Sequence, residues 1–308
     1  MLSKKTTASN FNEDISGIHQ PVMKQQVLEY LAPRPEGIYL DATLGLGGHS
    51  EAILEAVPQV QRVIGMDWDQ EALSLAKKRL GHFAGKMRFY QGNFRDMDAV
   101  IAEEGIDGFD GIVMDLGLSS FQLDASGRGF SFMRDEPLDM RMDRSSTILA
   151  SDMVNNLPGD RLAELIKLYG EEPWAKRIAD FIVKARTKKP ILSTLELAEI
   201  VKKAIPRRFH PRKIHPATRT FQAIRIAINR ELENLNQALE KVPECLKTGG
   251  RIVVISFHSL EDRIVKHFFK KNAFLRVLTK KPVQPDSLEI AVNPRARSAK
   301  LRAAERER

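Results

Sequence analysis

The chain has 308 residues, 43% of them hydrophobic, with a formal net charge of +8 and a pI near 9.5. That length and apolar share allow one large globular domain or two modest ones and exclude a disordered chain. No apolar run approaches the roughly 18 to 20 residues of a membrane helix, and a single cysteine excludes an internal disulfide framework.

Residues 1–17 begin with the polar stretch Met1–Asn12, which lacks a signal-peptide core, and read as a disordered leader. A helix with apolar positions at Val22, Val27, Leu28 and Leu31 ends at Pro33. From Gly37 to Gly117 strands alternate with helices, which implies a parallel sheet. The helix Gln70–Leu80 carries its apolar stripe at Ala72, Leu73, Leu75, Ala76 and Leu80. Leu118–Met142 is a Gly-, Asp- and Ser-containing loop too long to be a bland connection.

Ser151–Ile205 is helical in character. Asp160 is expected to cap Arg161–Tyr169, Pro173 to open a helix running to Arg186, and Thr194 to precede Leu195–Ala204. The α/β pattern then resumes with one long helix over Ala217–Leu246, distorted near Pro243. A turn at Thr248-Gly249-Gly250 leads into a buried strand, Arg251–Phe257. Ser259-Leu260-Glu261-Asp262 opens a helix with a capping-box pattern. Leu275–Lys280 and Ser298–Ala304 close the sheet as a hairpin. Cys245, before a strand, reads as core filler.

Three acids each end an apolar run: Asp41 after Ile38-Tyr39-Leu40, Asp67 after Val63–Met66, and Asp115 after Ile112-Val113-Met114. Ligands of open α/β sheets sit at the carboxyl ends of the strands, so these acids converge on one crevice. Gly45, Gly47 and Gly48 form a turn before a helix, where the backbone can approach a ligand closely. A dinucleotide site asks for a third glycine or an alanine, but here that position is Ser50. Asp41, four residues before Gly45, repels pyrophosphate and suits a cationic moiety such as the ammonium of S-adenosyl-L-methionine. Asp67 is placed to accept both ribose hydroxyls.

Asp115 lies where a methyl acceptor must sit. A carboxylate accepting hydrogen bonds from an exocyclic amine restores nucleophilicity lost into the ring, which makes Asp115 the candidate catalytic residue. Ser119 and Ser120 either orient a base or form the turn, and His258 is either a substrate contact or a buried, hydrogen-bonded histidine. From Lys202 to Arg230 there are nine Lys or Arg residues and no acid. Arg207, Arg208, Arg212 and Lys213 cluster with Phe209, His210 and His215, a mixture suited to phosphate contact and base stacking. One cysteine and scattered histidines give no zinc-ligand spacing, so no metal is expected.

At these residues the chain resembles the RsmH (MraW) family of bacterial 16S rRNA cytosine-N4 methyltransferases. The similarity is carried by Asp41–Ser50, Asp115–Asp124, Arg128–Phe132, Pro137–Asp143, Tyr169–Glu172, His215–Gln222, Ile255–Val265 and Asn293–Ser298. Leu46, Trp68 and Phe121 depart from the family's usual residues without removing a contact. The resemblance implies a Rossmann-like class I methyltransferase sheet with an inserted all-helical subdomain. Residues 18–142 and 215–308 would form the methyltransferase domain, with 143–214 as the RNA-recognising insertion. It further implies cofactor contacts at Gly47, Gly48, His49, Asp67, Phe94, Asp115 and Gln122, with Phe94 against the adenine. The implied product is N4-methylcytidine at a decoding-centre (P-site) position of 16S rRNA in the small (30S) subunit. A cytoplasmic enzyme is expected, and monomer and homodimer both stay open. The competing classes are an NAD-dependent oxidoreductase, disfavoured by Asp41 and the glycine pattern, and an assembly factor with a vestigial site.

Overall fold

The computed structural model describes residues 21–307, so the expected leader lies outside the described residues. Seven strands form one sheet: β1 (Ile38–Asp41), β2 (Arg62–Asp67), β3 (Met87–Gln91), β4 (Phe109–Asp115), β5 (Leu246–Ser256), β6 (Leu275–Val277) and β7 (Lys300–Arg306), in the order β3-β2-β1-β4-β5-β7-β6. The first five run parallel. β7 enters antiparallel between β5 and β6. The chain moves outward to one side from β1 and to the other from β4, so the switch point falls between these strands, where open sheets of this class bind ligands. Asp41, Asp67 and Asp115 are the last residues of β1, β2 and β4.

Each face of the sheet has its own core. Leu40, Ile64, Ile112, Met114 and Ile252 pack with Leu235, Leu239 and Val265 on one side. Tyr39, Val63, Val113 and Val253 pack with Val27, Ile53 and Leu73 on the other. Strands covered on both faces are therefore apolar throughout, as the uninterrupted runs in the sequence anticipate. Cys245 is buried in the first of these cores.

A third core belongs to the helices Ala150–Asn156, Gly159–Gly170, Ala175–Arg186, Thr194–Ala204 and Thr218–Asn229. It extends beyond 143–214: Phe130, Leu138, Met140 and Met142 from the long loop enter it, as do Ala217, Phe221 and Ile224. Arg128 anchors that loop. Its guanidinium donates to the carbonyls of Arg141 (3.2 Å) and Met142 (3.1 Å) and pairs with buried Asp69.

Several local expectations are corrected. The single helix over Ala217–Leu246 is two, Thr218–Asn229 and Glu231–Cys245, because Arg230 adopts a left-handed backbone (φ 50°). Pro243 stands inside the second. Asp160 is no cap, since that helix begins at Gly159 behind Pro158, and Pro173 lies outside a helix that starts at Ala175. Ser193, not Thr194, caps its helix by accepting the Glu196 N–H. His258, not Ser259, is the N-cap before Ser259–Lys271. The turn at 248–250 is an irregularity within β5, where pairing jumps from Phe109↔Leu246 to Gly111↔Arg251. The long loop contains a short helix, Ser120–Asp124.

Candidate active site

A cavity of about 320 Å³ opens at the carboxyl ends of β1, β2 and β4, between the sheet and the helical block. Its wall includes Gly45, Gly48, His49, Asp67, Trp68, Phe94, Asp115, Gly117, Ser119, Ser120 and Gln122. Arg225, Glu231, Phe257, Glu261 and Arg295 also line it.

Asp67 is held by backbone: Gly45 N donates to Oδ2 (2.8 Å) and Asp69 N to Oδ1 (2.9 Å). Burial nevertheless pushes its carboxyl up to about 7, ahead of the opposing pull of these two N–H groups. Phe94 opens a short 3₁₀ turn capped by Asn93, and its ring lies 6.4 Å from that of Trp68. An acid flanked by two aromatic rings suits a nucleoside, with hydroxyls on the acid and the base against the rings. Gln122 spends its amide within the protein, donating to Asp69 (2.9 Å) and accepting from Ser119 N (3.1 Å).

Two predicted cofactor residues stand elsewhere. Asp41 is 1% exposed beneath the wall and accepts from Ser50 Oγ (2.8 Å) and Thr43 N (3.4 Å), so it does not face the cavity as an ammonium partner would require. Burial raises its pKa, with His49 and Ser50 opposing. Gly47, at φ 82°, is the residue before the helix Gly48–Ala56, and a Cβ there would meet Leu80 at 2.6 Å. Its lack of a side chain serves packing away from the cavity.

His49 and Asp115 face each other, Nε2 to Oδ2 at 3.5 Å. Both ring nitrogens of His49 and Oδ1 of Asp115 are buried without a hydrogen-bond partner among the described residues. Buried polar atoms are rarely left so, and their grouping in a cavity wall marks a place where a ligand completes the bonding. Burial opposes charge on His49, but Asp115, Asp41 and Glu289 outweigh it and raise its pKa. Thr43 Oγ1 accepts the Asp115 N–H at 2.6 Å and fixes the strand end. Gly117, at φ 102°, brings the following turn against the Phe257 ring.

The two serines are engaged by the protein. Ser119 accepts the Gln122 N–H (3.2 Å) as a cap, and Ser120 accepts from Arg295 Nη1 (2.6 Å). His258 accepts the Glu261 N–H (3.4 Å) and lies 3.2 Å from that side chain, outside the cavity lining.

Sequence reasoning missed Arg225, Glu231 and Glu261 as wall residues. Arg225 Nε and Nη2 each reach a Glu231 oxygen at 2.8 Å. Glu261 accepts Phe257 N (2.9 Å) and His258 N (3.3 Å). Burial disfavours its charge, but His258 and Arg225 prevail and lower its pKa. Donor atoms of Glu231, His258 and Glu261 fall within 4.8 Å of one another. With both Glu231 oxygens taken by a guanidinium, this is a hydrogen-bonded charge cluster.

Arg207, Arg208, Arg212 and Lys213 are exposed, pair with no acid among the described residues, and do not line the cavity. Phe209 sits between Arg208 (4.8 Å to the ring) and Trp174 (5.1 Å between rings). His215 stacks on Phe132 (4.8 Å) and accepts the Ala217 N–H (3.2 Å). Burial and Lys202 lower its pKa.

The sheet order, the crevice at its switch point and the nucleoside-shaped wall define a class I S-adenosylmethionine-dependent methyltransferase. The chain belongs to the MraW methylase family, whose profile matches residues 16–307. It is 53% identical over 306 residues to the ribosomal RNA small subunit methyltransferase H of Geobacter sulfurreducens, covering 94% of this chain and 98% of that protein. The protein of the same name from Kosmotoga olearia is 52% identical over 293 residues, covering 94% of this chain and 97% of its own. Among solved structures, an rRNA methylase from Streptococcus thermophilus aligns over 92% of this chain and 94% of that one, at 12% identity and a TM-score of 0.43. No helix among the described residues is long and apolar enough to cross a membrane.

Proposed function

We propose that the protein methylates N4 of a decoding-centre (P-site) cytidine of 16S rRNA within the small (30S) ribosomal subunit. The substrate class is that in the names of its relatives. The observation that carries the chemistry is Asp115 Oδ1, buried in the cavity wall without a hydrogen-bond partner among the described residues.

When bound, S-adenosylmethionine supplies the methyl group on its sulfonium. Asp67 would hold the ribose hydroxyls, Trp68 and Phe94 the adenine, and the turn at Gly45, Gly48 and His49 the amino acid end. Asp115 accepts a hydrogen bond from the cytosine amine, raises the electron density on N4, and takes its proton as the N–CH3 bond forms and the S–CH3 bond breaks, the sulfonium leaving as a neutral thioether. Fixing acceptor and donor in one cavity supplies much of the rate by proximity. Arg207, Arg208, Arg212 and Lys213 on the helical insertion contact RNA phosphates, while Phe209 offers a stacking surface.

The test is nucleoside mass spectrometry of small subunits from a strain lacking the gene, before and after incubation with the protein and S-adenosylmethionine. N4-methylcytidine is the expected product. A different methylated nucleoside, or none, overturns the proposal.

A further inference from the structure

Two guanidiniums line the cavity among the described residues: Arg295 is bonded through Nη1 to Ser120 (2.6 Å) and through Nη2 to Asp124 (2.5 Å), and the geometry of Arg225 is half used. A guanidinium carries five N–H donors on two forked edges. The edge formed by Nε and Nη2 is closed by Glu231, with both bonds at 2.8 Å. Nη1 has no partner among the described residues, and it is not one of the sealed, unpartnered buried atoms. The second edge, Nη1 with the other Nη2 hydrogen, is therefore free.

The guanidinium itself is fixed by a buried partner. Glu231 is itself buried, in the first turn of its helix, directly after the left-handed Arg230 that folds this helix back from Thr218–Asn229. Burial disfavours the Arg225 charge, but Glu231 and then Glu261 keep it, raising its pKa. Arg225 and Glu231 thus hold a planar, charged fork in the wall of the cavity that Asp115, Gly117 and Phe257 also line.

We propose that this fork reads the acceptor base, donating two parallel N–H bonds to O2 and N3 of the target cytosine. This rests on the cytidine reading above. Cytosine carries the acceptors O2 and N3 side by side, next to the N4 amine that Asp115 would receive. Uracil places an N–H where N3 accepts, and adenine lacks a second acceptor beside N1. The fork and the carboxylate together match the whole donor and acceptor order of one base edge and mismatch the others. Bidentate arginine–base pairs of this kind discriminate by about 5- to 150-fold. Arg225 is in this reading a specificity-determining residue, with Glu231 positioning it.

The test uses small subunits reconstituted with 16S rRNA carrying either cytidine or 3-deazacytidine at the target position. Single-turnover methylation at saturating S-adenosylmethionine is measured for the wild type, Arg225→Lys and Glu231→Gln. On 3-deazacytidine the wild type should slow by about 5- to 150-fold. Arg225→Lys, which keeps the charge but loses the fork, should be slow on cytidine and suffer little further loss on the deaza base. Glu231→Gln, which keeps the fork but loosens its aim, should lie between. Cofactor affinity should be unchanged in both, which certifies that they are folded.

Equal deaza penalties in wild type and both variants overturn the proposal. A uniform loss on both RNAs with a shallower salt dependence assigns Arg225 to a phosphate and overturns it too. Should a variant not fold, a wild type indifferent to the deaza substitution is sufficient to reject base reading. If the wild type forms no N4-methylcytidine on unmodified RNA, the reaction itself is wrong, and that result is distinct because no variant is involved.

Discussion

On the side of Asp67, Trp68 and Phe94, the cavity is built from strand ends and the turns that directly follow them, with backbone N–H groups from Gly45 and Asp69 fixing the acid. On the side of Arg225, Glu231 and Glu261, it is built from two helices that meet at the left-handed Arg230 and from an N-terminal cap; Arg225 and Glu231 hold each other, and the backbone N–H groups of Phe257 and His258 hold Glu261. The first wall takes its shape from the ends of the sheet strands. The second depends on each member of its network, because removing one partner of a buried pair leaves the other uncompensated. In the proposed reading, the first wall meets an invariant cofactor and the charges of the second choose the base.

The contrast can be attacked first at the joint between the walls. Arg128 and Asp69, 4% and 2% exposed at their side chains, tie the long loop to the turn that holds Asp67. Arg128→Met leaves buried Asp69 with its bonds to Gln122 and Glu71 N but without a counter-charge, and should cost about 3 to 5 kcal/mol of stability, read by denaturant unfolding. A loss below about 1 kcal/mol means that the loop and the cofactor wall are not coupled through this pair.

Asp115→Asn keeps size and one acceptor oxygen while removing the charge. Single-turnover methyl transfer should slow by about 10²- to 10³-fold, with substrate affinity changed much less. If saturating cofactor restores the full rate, Asp115 belongs to the cofactor wall alone, and the backbone carbonyls of Leu116 or Gly117 become the acceptors.

Neutralising Arg207, Arg208, Arg212 and Lys213 together should weaken subunit binding. The log–log salt slope should flatten by about 0.7 for each single-strand phosphate that the protein no longer neutralises. Cofactor affinity should hold, since none of the four lines the cavity. An unchanged slope places the RNA path elsewhere.

The smallest effect concerns pH. Asp67 titrates at about 7, and hydroxyl groups bind its ionised form better. Affinity for S-adenosylmethionine should therefore fall as pH drops below about 7, by at most about tenfold per unit, and level off above it. Asp67→Asn should abolish the slope in calorimetric titrations, and a slope that survives assigns it to another group.

The sequence shows the first wall more clearly than the second, for a physical reason. Asp67 and Asp115 are legible because each closes an apolar run, and a run buried on both faces is a local signal. Asp41 shares that signal, yet which side of a strand end a carboxylate takes depends on Ser50 nine residues away. Arg225 and Glu231 are hidden for the opposite reason. In one continuous helix, residues six apart point about 240° around the axis from each other, so they cannot pair. Only the left-handed Arg230 brings them together, and nothing in the apolar pattern of Ala217–Leu246 announces it. Trp68 stands out in the sequence only as a departure from the family's usual residue, although its place directly after Asp67 puts it in the wall.

The most direct test of the divided cavity is calorimetric titration of S-adenosylmethionine into the wild type and Asp67→Ala, paired with single-turnover rates at saturating cofactor. Loss of charge-assisted ribose bonds costs about 1.5 to 3 kcal/mol, so the dissociation constant should rise about 10- to 150-fold while the saturated rate stays close to wild type. An unchanged dissociation constant, or a saturated rate that falls as far as the affinity, would contradict the assignment of Asp67 and its wall to the cofactor.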